Sequence, residues 1–196
     1  MLNEANAHCV VVIGASAGGV EALGEILPRL AGDLSIVAVV HLPPDKPSLL
    51  TSIFSPRCSL QVKEAEDKEP ISSGTIYFAP PDYHVLIEEN LHLALSLDEP
   101  VHHSRPSIDV LFHSAVDALG VNAKAVLLTG ANRDGAAGLA AINAAGGITI
   151  VQHPAHALAP EMPSAALSMC RPTHVLPIDA IAALIGQFPQ PRRGAR

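Results

Sequence analysis

Three residues of reactive type each stand just beyond a short apolar run. Ser16 lies in Gly14-Ala-Ser-Ala-Gly-Gly19 after Cys9-Val-Val-Val-Ile13, His41 follows Ser35 to Val40, and Asp134 ends the loop Thr129 to Asp134 after Ala123 to Leu128. A serine in a glycine-rich turn at the start of a helix presents its hydroxyl where helix N–H groups stabilise a developing oxyanion, so its chemistry is nucleophilic attack. An imidazole beside it takes the serine proton, and a carboxylate behind the imidazole orients it and stabilises its charge. Each residue alone has a plainer reading: Ser16 as a helix cap, His41 as a structural or exposed strand-end residue, Asp134 as an ordinary cap. A phosphate- or dinucleotide-binding loop is the other functional reading of the glycines. Gly14-Ala-Ser-Ala-Gly-Gly19 lacks the Gly-x-Gly-x-x-Gly order, however, and no lysine follows Gly18-Gly19 to make a Walker site.

The elements around these loops decide whether the three residues meet. Cys9 to Ile13 is a continuous β-branched run, as in a strand covered on both faces, and Val20, Leu23, Ile26 and Leu27 then recur at helical spacing to about Pro28. Ser35 to Val40 forms the next strand and Pro47 to Phe54 a short helix. Further on, Ser107 to Leu119 reads as a helix, Ala123 to Leu128 as a strand, Gly135 to Ala145 as a helix and Ile148 to Val151 as a strand. Helices over Pro163 to Met169 and Ile178 to Ile185 flank a short edge strand at Val175-Leu176. This alternation predicts an α/β, doubly wound, mostly parallel sheet in a three-layer α/β/α arrangement. The carboxyl ends of neighbouring parallel strands share one edge, so Ser16 and His41, 25 positions apart, can face one another. The middle of the chain differs. Leu60-Gln-Val62, Thr75 to Ala79, His84 to Ile87 and His92 to Leu95 are spaced like hairpins and predict an antiparallel addition at one sheet edge. The charge run Lys63 to Glu69 reads as a solvated face or loop.

Composition narrows the class. The 196 residues are 48% apolar, enough for one packed core, and 3% aromatics leave that core to Ala, Val, Leu and Ile. The expected organisation is a flexible stretch over 1–8, one globular domain over 9–188 and a flexible tail over 189–196. Net charge −7 argues against nonspecific nucleic-acid binding, which needs a basic footprint. No apolar stretch approaches the roughly 20 residues of a membrane span, so no direct membrane insertion is expected. Cys9, Cys58 and Cys170 read as reduced residues of a cytoplasmic protein, and His84, His153, His156 and His174 as structural or surface residues in a chain without a zinc-like ligand set.

Read in order, Ile13-Gly-Ala-Ser-Ala-Gly-Gly-Val20, His41-Leu-Pro43, Phe78-Ala-Pro-Pro-Asp-Tyr-His84, Arg105-Pro-Ser-Ile-Asp109 with Leu111-Phe112, Leu128-Thr-Gly130, Arg133-Asp-Gly-Ala-Ala-Gly138 and Met162-Pro163 resemble the chemotaxis receptor protein-glutamate methylesterases, the CheB catalytic-domain family. The resemblance runs from about Val10 to Ile185. It implies a serine hydrolase that demethylates glutamate γ-methyl esters in the cytoplasmic domain of methyl-accepting chemoreceptors, releasing methanol, with glutamine deamidation in some relatives. Under it, Ser16 is the nucleophile, His41 the general base and then acid, and Asp134 the orienting carboxylate. Backbone N–H groups of Ala17, Gly130, Ala131 and Asn132 are the oxyanion-hole candidates, and no metal or organic cofactor is expected. The chain order Ser, His, Asp sets it apart from the α/β-hydrolases, whose order is Ser, Asp, His.

Two departures stand out against the family pattern. Thr129-Gly-Ala-Asn132 replaces the usual Thr-Gly-Met-Gly, and Ser16-Ala-Gly-Gly19 the frequent Ser-Thr-Gly-Gly. Ala131 removes a large apolar contact and Asn132 restricts the backbone, so substrate fit or oxyanion geometry is expected to differ. Arg105, Pro106 and Asp109 are equally explained by charge pairing and helix initiation. Family members often carry an N-terminal phosphoacceptor receiver domain. Nine residues precede Val10, so none is expected in this chain. The alternatives are an amidase or deamidase using the same groups, and a receptor- or signalling-protein-binding module that has lost turnover.

Overall fold

The computed structural model describes residues 9–42 and 47–188. The stretches 1–8 and 189–196, expected to be flexible, lie outside the described residues, as does 43–46. Among the described residues, nine strands and six α-helices follow in order: β1 Val10–Ala15, α1 Gly19–Ile26, β2 Ser35–Val40, α2 Leu50–Phe54, β3 Gln61–Glu64, β4 Thr75–Phe78, β5 His84–Ile87, β6 Leu93–Ser96, α3 Ile108–Leu119, β7 Lys124–Leu127, α4 Ala136–Ala144, β8 Ile148–Gln152, α5 Glu161–Met169, β9 His174–Leu176 and α6 Ile178–Ile185.

Seven strands form one parallel sheet in the order β3-β4-β2-β1-β7-β8-β9. The β-branched runs suit its centre because both faces are covered. Along β1 the side chains alternate between two cores, Val11, Ile13 and Ala15 to one and Val10 and Val12 to the other. β2 does the same, with Ile36, Ala38 and Val40 opposite Val37 and Val39. Apolar faces of α1, α2 and α6 cover the first core and those of α3, α4 and α5 the second, completing the three layers. No helix among the described residues is long and apolar enough to cross a membrane.

Two of the four short middle strands behave differently from a hairpin reading. β3 and β4 pair in parallel and extend the main sheet beyond β2. Their link, residues 65–74, is close to the dozen or so residues that a parallel connection needs, and it crosses without a helix. The antiparallel addition is β5–β6, a two-stranded sheet of its own. Ile87 N–H donates to Ser114 Oγ of α3 at 3.0 Å, while Lys68 N–H donates to Leu93 O and Leu93 N–H to Glu69 O, so helix and crossover link both hold the hairpin. Within the charge run Lys63 Nζ pairs with Glu66 and Glu69 at 2.8 Å each, while Lys68 pairs with Glu88 and Asp67 accepts Leu95 N–H, tying the run to the hairpin.

Sheet register delivers the reactive loops to one place. Chain direction away from β1 reverses between the β1–β2 and β1–β7 neighbours, the switch point at which parallel α/β sheets open a crevice. Ala15 is paired with Val40, so Ser16 and His41 leave the sheet at the same level; Gly14 is paired with Leu127, which brings Thr129 beside Ser16. Gly14 also lets α3 start close over β1, since a Cβ there would stand 2.2 Å from Ile108 Cγ2.

Candidate active site

The Ser16 loop is a turn closed by Gly19 N–H donating to Ser16 O at 2.8 Å, with Gly18 in the left-handed region at φ 77° capping α1. This geometry leaves Ser16 half-buried at the base of the helix. The loop after β7 clamps it from the side. Ser16 N–H donates to Thr129 O at 2.9 Å, and the Thr129 hydroxyl donates to Ala17 O at 2.9 Å while accepting from Ala159 N–H at 2.8 Å. A Cβ on Gly130 would lie 3.0 Å from Ser16 Cβ and 2.5 Å from Met162 Cε, so a larger residue here would crowd the serine and displace the end of the buried methionine side chain. Thr129 N–H is held in turn by Gln152 Oε1 at 2.8 Å.

At the end of β2, His41 Nε2 lies 2.9 Å from Asp134 Oδ2, the imidazole 12% exposed and the carboxylate fully buried. The remaining acceptor positions of Asp134 are filled from the start of α3. Ser107 Oγ donates to Oδ1 at 2.8 Å, Asp109 N–H to Oδ1 at 3.0 Å and Ile108 N–H to Oδ2 at 2.7 Å. Four donors on one carboxylate fix its plane and its charge. Burial alone raises the pKa of Asp134, but the hydrogen bond from His41 and those from the backbone of Asp109 and Ile108 outweigh it and hold the carboxyl below its ordinary value. Because that value is depressed in the folded state, the stability it confers is complete above the unfolded carboxyl value of about 3.9 and is lost as pH falls through the folded one. The denaturation midpoint is therefore expected to drop below about pH 4, and less steeply in Asp134→Asn. An equally steep drop in the variant would assign the loss to other carboxylates.

An ionised carboxylate only accepts, so His41 Nε2 carries a hydrogen, and in the neutral imidazole Nδ1 then holds the lone pair. Nδ1 is 3.3 Å from Asn132 Nδ2, while Asn132 Oδ1 accepts Asp134 N–H at 3.0 Å. Among the described residues Ser16 Oγ makes no hydrogen bond.

Of the four oxyanion-hole candidates, Gly130 needs correction. Its N–H donates to Ala159 O at 3.0 Å because the segment before α5 folds over it, so it has no proton to offer an oxyanion. The N–H groups of Ala17, Ala131 and Asn132 have no acceptor among the described residues. Sequence reasoning also missed three residues that build the site: Ser107, Thr129 and Met162. Ser107 was visible as a helix start, but its hydroxyl reaches Asp134 through the fold. His84, read as structural, accepts Ser107 N–H at Nδ1 at 3.1 Å and so supports the same helix start.

Beside His41 is a cavity of about 150 Å³ walled in part by Asp82, His103 and Arg105. Arg105 is paired with Asp82 through Nε and Nη2 and donates from Nη1 to Leu97 O and Asp98 O, so its charge holds the wall. Asp109 Oδ1 accepts Gly138 N–H at 2.7 Å; burial pushes its carboxyl pKa up against the lowering effect of that bond. His102, Asp109 and Asp134 form a cluster of metal-ligand type, but the four donors on Asp134 leave it no lone pair directed at a cation.

A sequence model described as CheB methylesterase matches residues 11–185. The chain belongs to the CheB methylesterase family. The crystal structure of the Thermotoga maritima CheB methylesterase catalytic domain superposes with a TM-score of 0.89 at 28% identity, covering 94% of this chain and all of that one. A relative from Leptospira interrogans is 42% identical over 182 residues, 92% of this chain and 94% of its own. The protein-glutamate methylesterase/protein-glutamine glutaminase 1 of Hahella chejuensis is 39% identical over 91% of this chain, and that of Bordetella parapertussis 37% over 92%. This CheB-family chain corresponds to 51% and 53% of the length of those last two.

Proposed function

We propose that this chain is a serine hydrolase that demethylates glutamate γ-methyl esters in the cytoplasmic domain of methyl-accepting chemoreceptors, and that it also deamidates receptor glutamines. The observation that carries the reading is the 2.9 Å His41–Asp134 contact at the strand end level with Ser16, in a member of a methylesterase family. With Nε2 committed to Asp134, Nδ1 is the nitrogen that takes the Ser16 proton as Oγ attacks the ester carbonyl. Ala17 N–H, with that of Ala131 or Asn132, receives the oxyanion. Collapse breaks the C–O bond to the methoxy group, which leaves as methanol with the proton from His41. Water, deprotonated by His41, then attacks the acyl-enzyme, releasing a receptor glutamate and restoring Ser16. The same steps on a glutamine expel ammonia. Residues 9–188 act as one catalytic unit, working in the cytoplasm where the receptor segment lies. Leu158, 78% exposed beside Gly18, offers an apolar contact next to the nucleophile that suits a substrate presented on a protein surface.

Methylated chemoreceptor fragments are expected to yield methanol, and glutamine-containing fragments ammonia. A folded chain that binds the fragment and releases neither is a binding module, and the hydrolase reading fails.

A further inference from the structure

The nitrogen that must receive the serine proton is already engaged. Asn132 Oδ1 accepts Asp134 N–H at 3.0 Å, which settles the orientation of the amide: its NH₂ group faces His41. His41 Nε2 carries a hydrogen because it meets a carboxylate at 2.9 Å, so in the neutral imidazole, the form that can act as a base, Nδ1 can only accept. The 3.3 Å contact is therefore Asn132 N–H donating to the lone pair of the general base. Ser16 Oγ, the group that needs that lone pair, has no hydrogen bond among the described residues.

We propose that Asn132 is a positioning residue that latches His41: its amide occupies Nδ1 in the resting enzyme, and Ser16 must displace it before the hydroxyl proton can be transferred. This rests on His41 being the base for Ser16. The latch holds the imidazole in one tautomer and one plane, at the expense of a competitor for the serine. Once His41 takes the proton, Nδ1 becomes a donor and can no longer accept from the amide, so the contact opens in the step that forms the acyl-enzyme.

A fluorophosphonate probe separates these roles without a receptor. Ser16 Oγ forms a bond to phosphorus, the P–F bond breaks, fluoride leaves and the serine proton passes to His41. Asn132→Ala removes the amide. Asn132→Ser also removes it, but its hydroxyl can still accept Asp134 N–H and keep the turn, while being too short to reach His41. Both variants are expected to label about 5- to 10-fold faster than wild type, the scale of one modest hydrogen bond. The ¹⁵N resonance of His41 Nδ1 is expected to move downfield in both, towards a free lone pair. Labelling no faster in either variant, or an unmoved Nδ1 resonance, overturns the latch. So does wild-type behaviour in Asn132→Ser beside altered behaviour in Asn132→Ala, which would make Asn132 a turn residue only. Wild type and variants all unlabelled at Ser16 would overturn the latch and the hydrolase reading together, whereas equal labelling overturns the latch alone.

Discussion

Ser16→Ala is expected to release methanol from methylated receptor fragments at least about 10³-fold more slowly than wild type while binding the same fragments. In the proposed mechanism the serine hydroxyl forms the covalent bond, and no other hydroxyl stands in the turn Gly14 to Gly19. Removing it leaves the backbone N–H groups of Ala17, Ala131 and Asn132 in place, so on that mechanism the loss falls on turnover. The fold has little reason to respond. Ser16 is held through its backbone, by N–H to Thr129 O and by O from Gly19 N–H, and its Oγ makes no hydrogen bond among the described residues. Methanol release and fragment binding by the purified variant provide the check; unchanged turnover would remove Ser16 from the mechanism.

Asp134→Asn is expected to lower turnover by about 10⁴-fold, the scale seen when the orienting carboxylate of a serine triad is made an amide. An amide on this site presents an NH₂ group as well as an oxygen, and it meets three donors from Ser107, Ile108 and Asp109 besides the imidazole. Its oxygen goes to the helix start and its NH₂ to His41, which reverses the tautomer and places the hydrogen on Nδ1, where the base is required. At least one former donor to the carboxylate is also left poorly matched, so stability falls by about 1–3 kcal/mol. Turnover and denaturant midpoint measured on one preparation test both parts. A variant with wild-type kcat would show that His41 does not depend on Asp134.

The strands carrying Ser16, His41 and Asp134 were legible because a β-branched run covered on both faces has few alternatives, and Ser35 to Val40 matches β2 at both ends. β3 and β4 were not. Four-residue strands show no period that separates parallel from antiparallel pairing, and their pairing depends on where the link 65–74 travels. At the site, the residue types of Ser16, His41 and Asp134 carry their own chemistry. Ser107 does not, since its importance comes from a carboxylate 27 positions away. Asn132 was visible as a departure, but read for its backbone; its side chain's contact with His41 follows from a turn that only the folded loop defines. The Gly130 amide is taken by Ala159, a partner supplied by a segment without a recognisable period.

The pairing of Ala15 with Val40 and of Gly14 with Leu127 has an evolutionary consequence. A slip of one residue in either pair turns every side chain of that strand to the opposite face and spoils both cores, so any lineage that keeps the domain folded keeps Ser16 and His41 at one level without selection acting on their spacing. Loop residues carry no such guarantee. Loop positions such as Ala131 and Asn132 are free to vary above a frame that holds still, which lets the placement of Ser16 and His41 stay constant while their surroundings change.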